Sequence, residues 1–148
     1  MEGRPSLIAI DHDDYLAAHI GRTSDGGQFI LTNPFEPAIG NDLGCEYVAL
    51  YVFDQSGKLT EAKIDSFGPR TTIDNAARRT LYAERLASLG DVSFEQVEIA
   101  PFSVERFGLD FGLIARVPDE DDDAWAVEMQ PGNYMAFFEP WDSGEYDT

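Results

Sequence analysis

Residues Glu46 to Asp54 are apolar on both faces of a strand, which constrains the fold more than any other feature of the chain. Tyr47, Ala49, Tyr51 and Phe53 fall on one side, and Val48, Leu50 and Val52 on the other, because successive strand side chains alternate. A strand of this kind has to be covered on both faces and belongs inside a layered structure. Asp54-Gln55-Ser56-Gly57 then turns the chain into Leu59 to Phe67, where Glu61, Lys63 and Asp65 alternate with Thr60, Ala62 and Ile64. That is a strand with one wet face, and so short a connection makes the two strands antiparallel.

Other segments add to this sheet. Gly26-Gly27 after Thr23-Ser24-Asp25 separates His19-Ile20-Gly21-Arg22 from Gln28 to Thr32, the pattern of a β-hairpin, and Pro34, Pro37, Gly40 and Gly44 mark a loop after it. Phe94 to Ile99 reads as a strand, and Phe107, Leu109, Phe111, Leu113, Ala115 and Val117 alternate as one long one. Trp125-Val127-Met129 alternates again, Pro131-Gly132-Asn133 turns, and Tyr134 to Glu139 closes the set. One helix is predicted, over about 71–89, with Thr71 and Asp74 resembling a capping box and Gly90 as its stop. Ile73, Ala77 and Leu81 make one apolar row on it, and Tyr82, Leu86 and Leu89 a second. The expected fold is α+β: a single, mainly antiparallel sheet of about six to eight strands with this principal helix packed on it.

All 148 residues are read as one domain, a length that buries roughly two thirds of its unfolded surface. Cys45 is the only cysteine, so no internal disulfide forms, and the N-terminal apolar run Leu7-Ile8-Ala9-Ile10 is too short for a signal core or a membrane span. The expectation is a cytoplasmic protein without a membrane partner. A net charge of −18 and a pI near 4.1 also argue against nucleic-acid binding, since no basic stripe exists to release counterions.

The charge is uneven. Val117 to Thr148 holds ten acids and no lysine or arginine, five of them consecutive at Asp119, Glu120, Asp121, Asp122 and Asp123. An EF-hand loop starting at Asp119 would need glycine where Ala124 stands and glutamate where Gln130 stands, so it fails at two defining positions. The chain then ends aromatic and acidic together, around Trp141 and Asp142. Such a segment suits gripping a cationic partner, or folding back as a latch. Conversely, Arg70, Arg78, Arg79 and Arg85 make the helix the one locally basic surface. Arg78, Arg79 and Arg85 either neutralise acids of the same chain or recognise an anion, since guanidinium groups suit bidentate carboxylate contacts.

Asp11-His12-Asp13-Asp14 with His19 offers two histidines but no third ligand, and the spacing matches no zinc pattern. Cys45 stands at the mouth of the most apolar strand, where cysteine behaves as a small hydrophobe. No Gly-x-Ser-x-Gly elbow, P-loop or dinucleotide fingerprint is present. Catalytic residues, metal and cofactor are therefore all assigned as none.

Ile20-Gly21-Arg22 with Asp25-Gly26 and Phe29, Val52-Phe53-Asp54 with Gly57, Pro131-Gly132-Asn133, Glu139-Pro140-Trp141-Asp142 and Tyr146-Asp147-Thr148 together resemble small uncharacterised bacterial proteins, some of them labelled formate hydrogenlyase regulatory proteins. The resemblance implies a bacterial protein with a regulatory role, and it identifies no active site.

The leading expectation is a non-enzymatic regulatory or interaction protein, of inhibitor or immunity type. Its acidic surface, Asp119 to Asp123 with Trp141 and Asp142, would engage a basic protein. The rival is a small-molecule- or metal-binding domain, extending to an enzyme, with Trp125, Tyr134, Tyr51 and Arg79 lining a site between helix and sheet. A homodimer through the second apolar row of the helix is a third arrangement.

Overall fold

The computed structural model describes residues 5–116 and 125–148. Its strands run β1 (Ile8–Ile10), β2 (Ile20–Thr23), β3 (Gln28–Thr32), β4 (Phe35–Glu36), β5 (Cys45–Phe53) and β6 (Leu59–Ser66). Helix α1 (Asn75–Ala87) follows, then β7 (Val92–Phe94), β8 (Val97–Ile99), β9 (Phe102–Arg106), β10 (Leu109–Arg116), β11 (Ala126–Gln130) and β12 (Ala136–Phe137). The α+β class with one helix holds, but the described residues form three sheets with twelve strands where a single sheet of six to eight was expected.

The doubly apolar strand explains the architecture. β5 lies inside the largest sheet, with β3 and β4 along one edge, β6 along the other, and β2 and β7 beyond β3. On one face, Val48 and Leu50 join Phe29 and Leu31, and Leu81, Tyr82, Leu86 and Leu89 of the helix region close over them. On the other face, Tyr47, Ala49, Tyr51 and Phe53 pack with Ile8 and Ile10 of β1, Val97 and Ile99 of β8, Phe111 and Leu113 of β10, and Val127 and Met129 of β11. The β9–β12 sheet and the β1–β8 pair thus supply the second cover, which is why one sheet was not enough. Both clusters are almost wholly shielded from water, and burial on this scale is the main stabilising contribution of the fold.

Several boundaries differ from expectation, the last strand being only Ala136–Phe137 where Tyr134 to Glu139 was expected. The segment from Phe94 to Ile99 divides, because β7 pairs with β2 while β8 pairs with β1. The long alternating strand starts only at Leu109. Phe107 and Gly108 take φ values of 55° and 76° and form the turn between β9 and β10, a pairing suited to a tight hairpin. The helix begins at Asn75, four residues late, because Asp74 is itself the N-cap and its carboxylate accepts the Ala77 N–H at 3.0 Å. Ile73 therefore precedes the helix and Leu81 faces the sheet, leaving Ala77 exposed out of that apolar row. Among the described residues no helix is long and apolar enough to cross a membrane.

Candidate functional site

The candidate partner-binding acids Asp119, Glu120, Asp121, Asp122 and Asp123 lie outside the described residues. Trp141 and Asp142 part company. Trp141 packs against the main core cluster and its carbonyl accepts the Ala9 N–H at 2.9 Å, whereas Asp142 is exposed. The C-terminal segment is a latch. Asp11 N–H donates to Gly144 O at 2.9 Å, Ala136 and Asp147 exchange backbone bonds, and the Tyr146 phenol donates to Asp13 Oδ2. Asp13 in turn caps the 13–17 turn by accepting the Tyr15 and Ala17 N–H groups at 2.9 Å.

The arginines divide as well. Arg85 meets Asp65 at 2.8 Å, and Arg70 and Arg78 converge on Glu46 at 3.4 and 3.6 Å. These partners are strand acids of the central sheet, the nearest carboxylates once α1 lies across β5 and β6. Arg79 makes no ion pair among the described residues.

Of the residues named for a helix–sheet site, Arg79 lines a cleft with Asn33 and Tyr82, while Tyr51 and Tyr134 lie elsewhere. Tyr51 faces the opposite core, Tyr134 accepts a bond from Thr32 Oγ1 at 3.0 Å beside that core, and the space under the helix is filled by side chains. Each histidine has one ring nitrogen in a polar contact. His12 Nε2 lies 3.0 Å from Ala18 O and its ring stacks on Phe94, while His19 Nδ1 lies 2.6 Å from the Tyr82 phenol. Burial, aided by the charge of His12, holds His19 below its ordinary pKa. Cys45 is half-buried with its Sγ 3.1 Å from Ser66 Oγ, and no histidine contacts it. No group of His, Cys, Asp or Glu among the described residues has the geometry of a metal site.

A recess that the sequence did not reveal opens where three chain reversals meet. It measures about 470 Å³ and is bounded by Asp25, Asp54, Gln55 and Glu61 together with Ser88 and Leu89 at the end of the helix. Asp25 accepts from the Thr23 hydroxyl and the Gly27 N–H, while Asp54 accepts from the Ser56 hydroxyl and the Ser56 and Lys58 N–H groups. These bonds keep both carboxyls below the usual carboxylate range. The helix ends at this recess, its last carbonyls bonded by the Ser88, Leu89 and Gly90 N–H groups and the Ser88 hydroxyl. Each turn is legible on its own, but only the β2–β3, β3–β5 and β5–β6 pairings bring them together.

A second cleft, of about 360 Å³, is lined by Asn33, Arg78, Arg79, Tyr82 and Ala83. No family model, curated protein or solved structure matches the chain, so its own side chains are what a function has to be built from.

Proposed function

We propose that this is a non-enzymatic interaction protein that presents an acidic surface to a basic protein partner. The observation that carries the reading is the recess bounded by Asp25, Asp54 and Glu61, with Ser88 and Leu89 at the end of the helix. It is roomy enough for the head of a lysine or arginine side chain. Five arginines, Arg22, Arg70, Arg78, Arg85 and Arg116, lie 2.8–3.6 Å from acids of the same chain, yet the protein keeps a net charge of −18. The surplus is thus left for solvent and partners, where it speeds encounter with a cationic surface. The exposed Asp142 adds to the same field, and Asp119 to Asp123 add to the net charge.

The test is affinity capture followed by binding kinetics on the purified partner. Association is expected to slow steeply with salt, and Gln55→Lys with Glu61→Lys to reduce affinity by about tenfold or more. Gln55 and Glu61 are exposed positions, so the fold tolerates the change. A captured partner whose affinity ignores both salt and these charge reversals would refute the reading.

A further inference from the structure

Arg79 stands out on this acidic protein because the structure assigns it no carboxylate among the described residues. Its neighbour Arg78 holds Glu46 only at 3.6 Å and shares that carboxylate with Arg70 at 3.4 Å. Both distances are long for a charge-assisted bond, so Arg78 is not saturated. Around this spot Arg70 and Arg78 share Glu46, Glu36 lies beside Arg70, and Asp74 caps the helix. Arg79 is thus the guanidinium of this group that no carboxylate among the described residues engages.

The cleft beside these guanidinium groups has a firm apolar wall. Tyr82 is pinned because its hydroxyl lies 2.6 Å from His19 Nδ1 and donates to Leu31 O at 3.3 Å. Its ring therefore stands as a fixed surface next to Ala83. Asn33 is held by donating to Tyr47 O at 3.3 Å. The cleft's 360 Å³ falls near the lower end of small-ligand pockets, roughly 300–1,000 Å³, which pair apolar walls with a few orienting polar groups.

We propose that this cleft binds a small organic monoanion, a carboxylate carried on a flat apolar body. The carboxylate sits on Arg79 with help from Arg78, and the body lies against the Tyr82 ring and Ala83. A monoanion matches the one unengaged guanidinium. A dianion such as inorganic phosphate would meet the repulsion of the surrounding acids with one charge uncompensated. Guanidinium groups suit the planar carboxylate, and the aromatic wall suits a planar body. The site is separate from the acidic recess, so it stands or falls independently of the basic-partner reading.

Benzoate is the probe, titrated into the full-length protein and followed by the backbone amide spectrum. Saturable shifts are expected at Arg79, Tyr82, Ala83 and Asn33. Arg79→Gln is expected to weaken binding by about tenfold, the loss of one charge-assisted pair. Ala83→Leu, which fills the cleft from an exposed helix position, is expected to abolish it. Both variants keep good helix formers and should melt like the parent. Benzamide and inorganic phosphate should each bind at least about tenfold more weakly than benzoate. The proposal is overturned if benzoate gives no saturable shift, if Arg79→Gln or Ala83→Leu binds like the parent, or if benzamide or phosphate equals benzoate.

Discussion

Tyr146→Phe isolates the bond that closes the C-terminal latch. The phenol donates to Asp13 Oδ2 while the ring leans on Phe137, with centroids 6.1 Å apart, and phenylalanine keeps the ring and loses only the hydroxyl. Asp13 is half-buried and its other oxygen already takes two backbone N–H groups. Water can therefore reach the vacated Oδ2, and no orphaned buried acceptor is created. What is lost is one bond to a charged, partly solvated group, at the lower end of the range for such bonds, about 1.5 kcal/mol. In a domain of this size that lowers the melting temperature by roughly 3–6 °C. The effect should also be local. Amides of Asp11, Ala136 and Asp147, which belong to the latch, should exchange about tenfold faster, while core amides such as Tyr51 change only as far as global stability does. Acid supplies a second check. Burial pushes the Asp13 carboxyl up, but the bonds from Tyr146, Tyr15 and Ala17 outweigh it and hold the pKa below its ordinary 3.8. A depressed folded-state pKa gives stability that is complete above the unfolded value and lost as pH falls through the folded one. The parent-to-variant difference should therefore be full at pH 6 and shrink below about pH 4, measured by urea unfolding. An undiminished difference at about pH 3, or latch amides that exchange as in the parent, would refute the reasoning.

Two further outcomes follow from close packing and from a buried imidazole. Gly21→Ala drives a methyl into the Ser93 carbonyl, where β2 and β7 pair at Gly21 and Phe94. It should cost about 1–3 kcal/mol and expose the Glu95 amide, which bonds Ile20 O at 3.2 Å; an unchanged urea midpoint would contradict this. His19 is held below 6.5 by burial first and by His12 second, so the unfolded chain takes up a proton there before the folded one does. Stability should then fall as pH drops below about 6.5, and His19→Gln should flatten that slope between about pH 7.5 and 5.5; an identical slope in the variant would show that another group is responsible.

Local rules reached the elements whose signals are short-ranged. The Ile20–Thr23 and Gln28–Thr32 hairpin, the Cys45–Phe53 strand, its antiparallel partner and the existence of one helix all follow from alternation and turn chemistry. The exceptions were also local: Asp74 outcompetes Thr71 as the cap, and Phe107 with Gly108 bends what alternation alone reads as continuous strand. The candidate sites fared less well. That Arg78 and Arg85 would neutralise acids was an available reading, but their actual partners, Glu46 and Asp65, are 32 and 20 residues away in the chain. That Trp141 joins the core depended on how the last segment runs beside β1.

The amino-acid order by itself therefore determined that β5 must be sandwiched, since each of its faces is apolar whatever its neighbours are. It also determined the strongly negative charge, which is a property of composition. Only the tertiary structure decided what covers each face, a helix on one and two further sheets on the other. It likewise decided that Asp25, Asp54 and the helix end enclose one recess while Arg79 is left beside another. The physical reason is range. Alternation and capping act over a few residues, whereas a site depends on side chains brought together by strand pairing across dozens, and no local pattern encodes that distance.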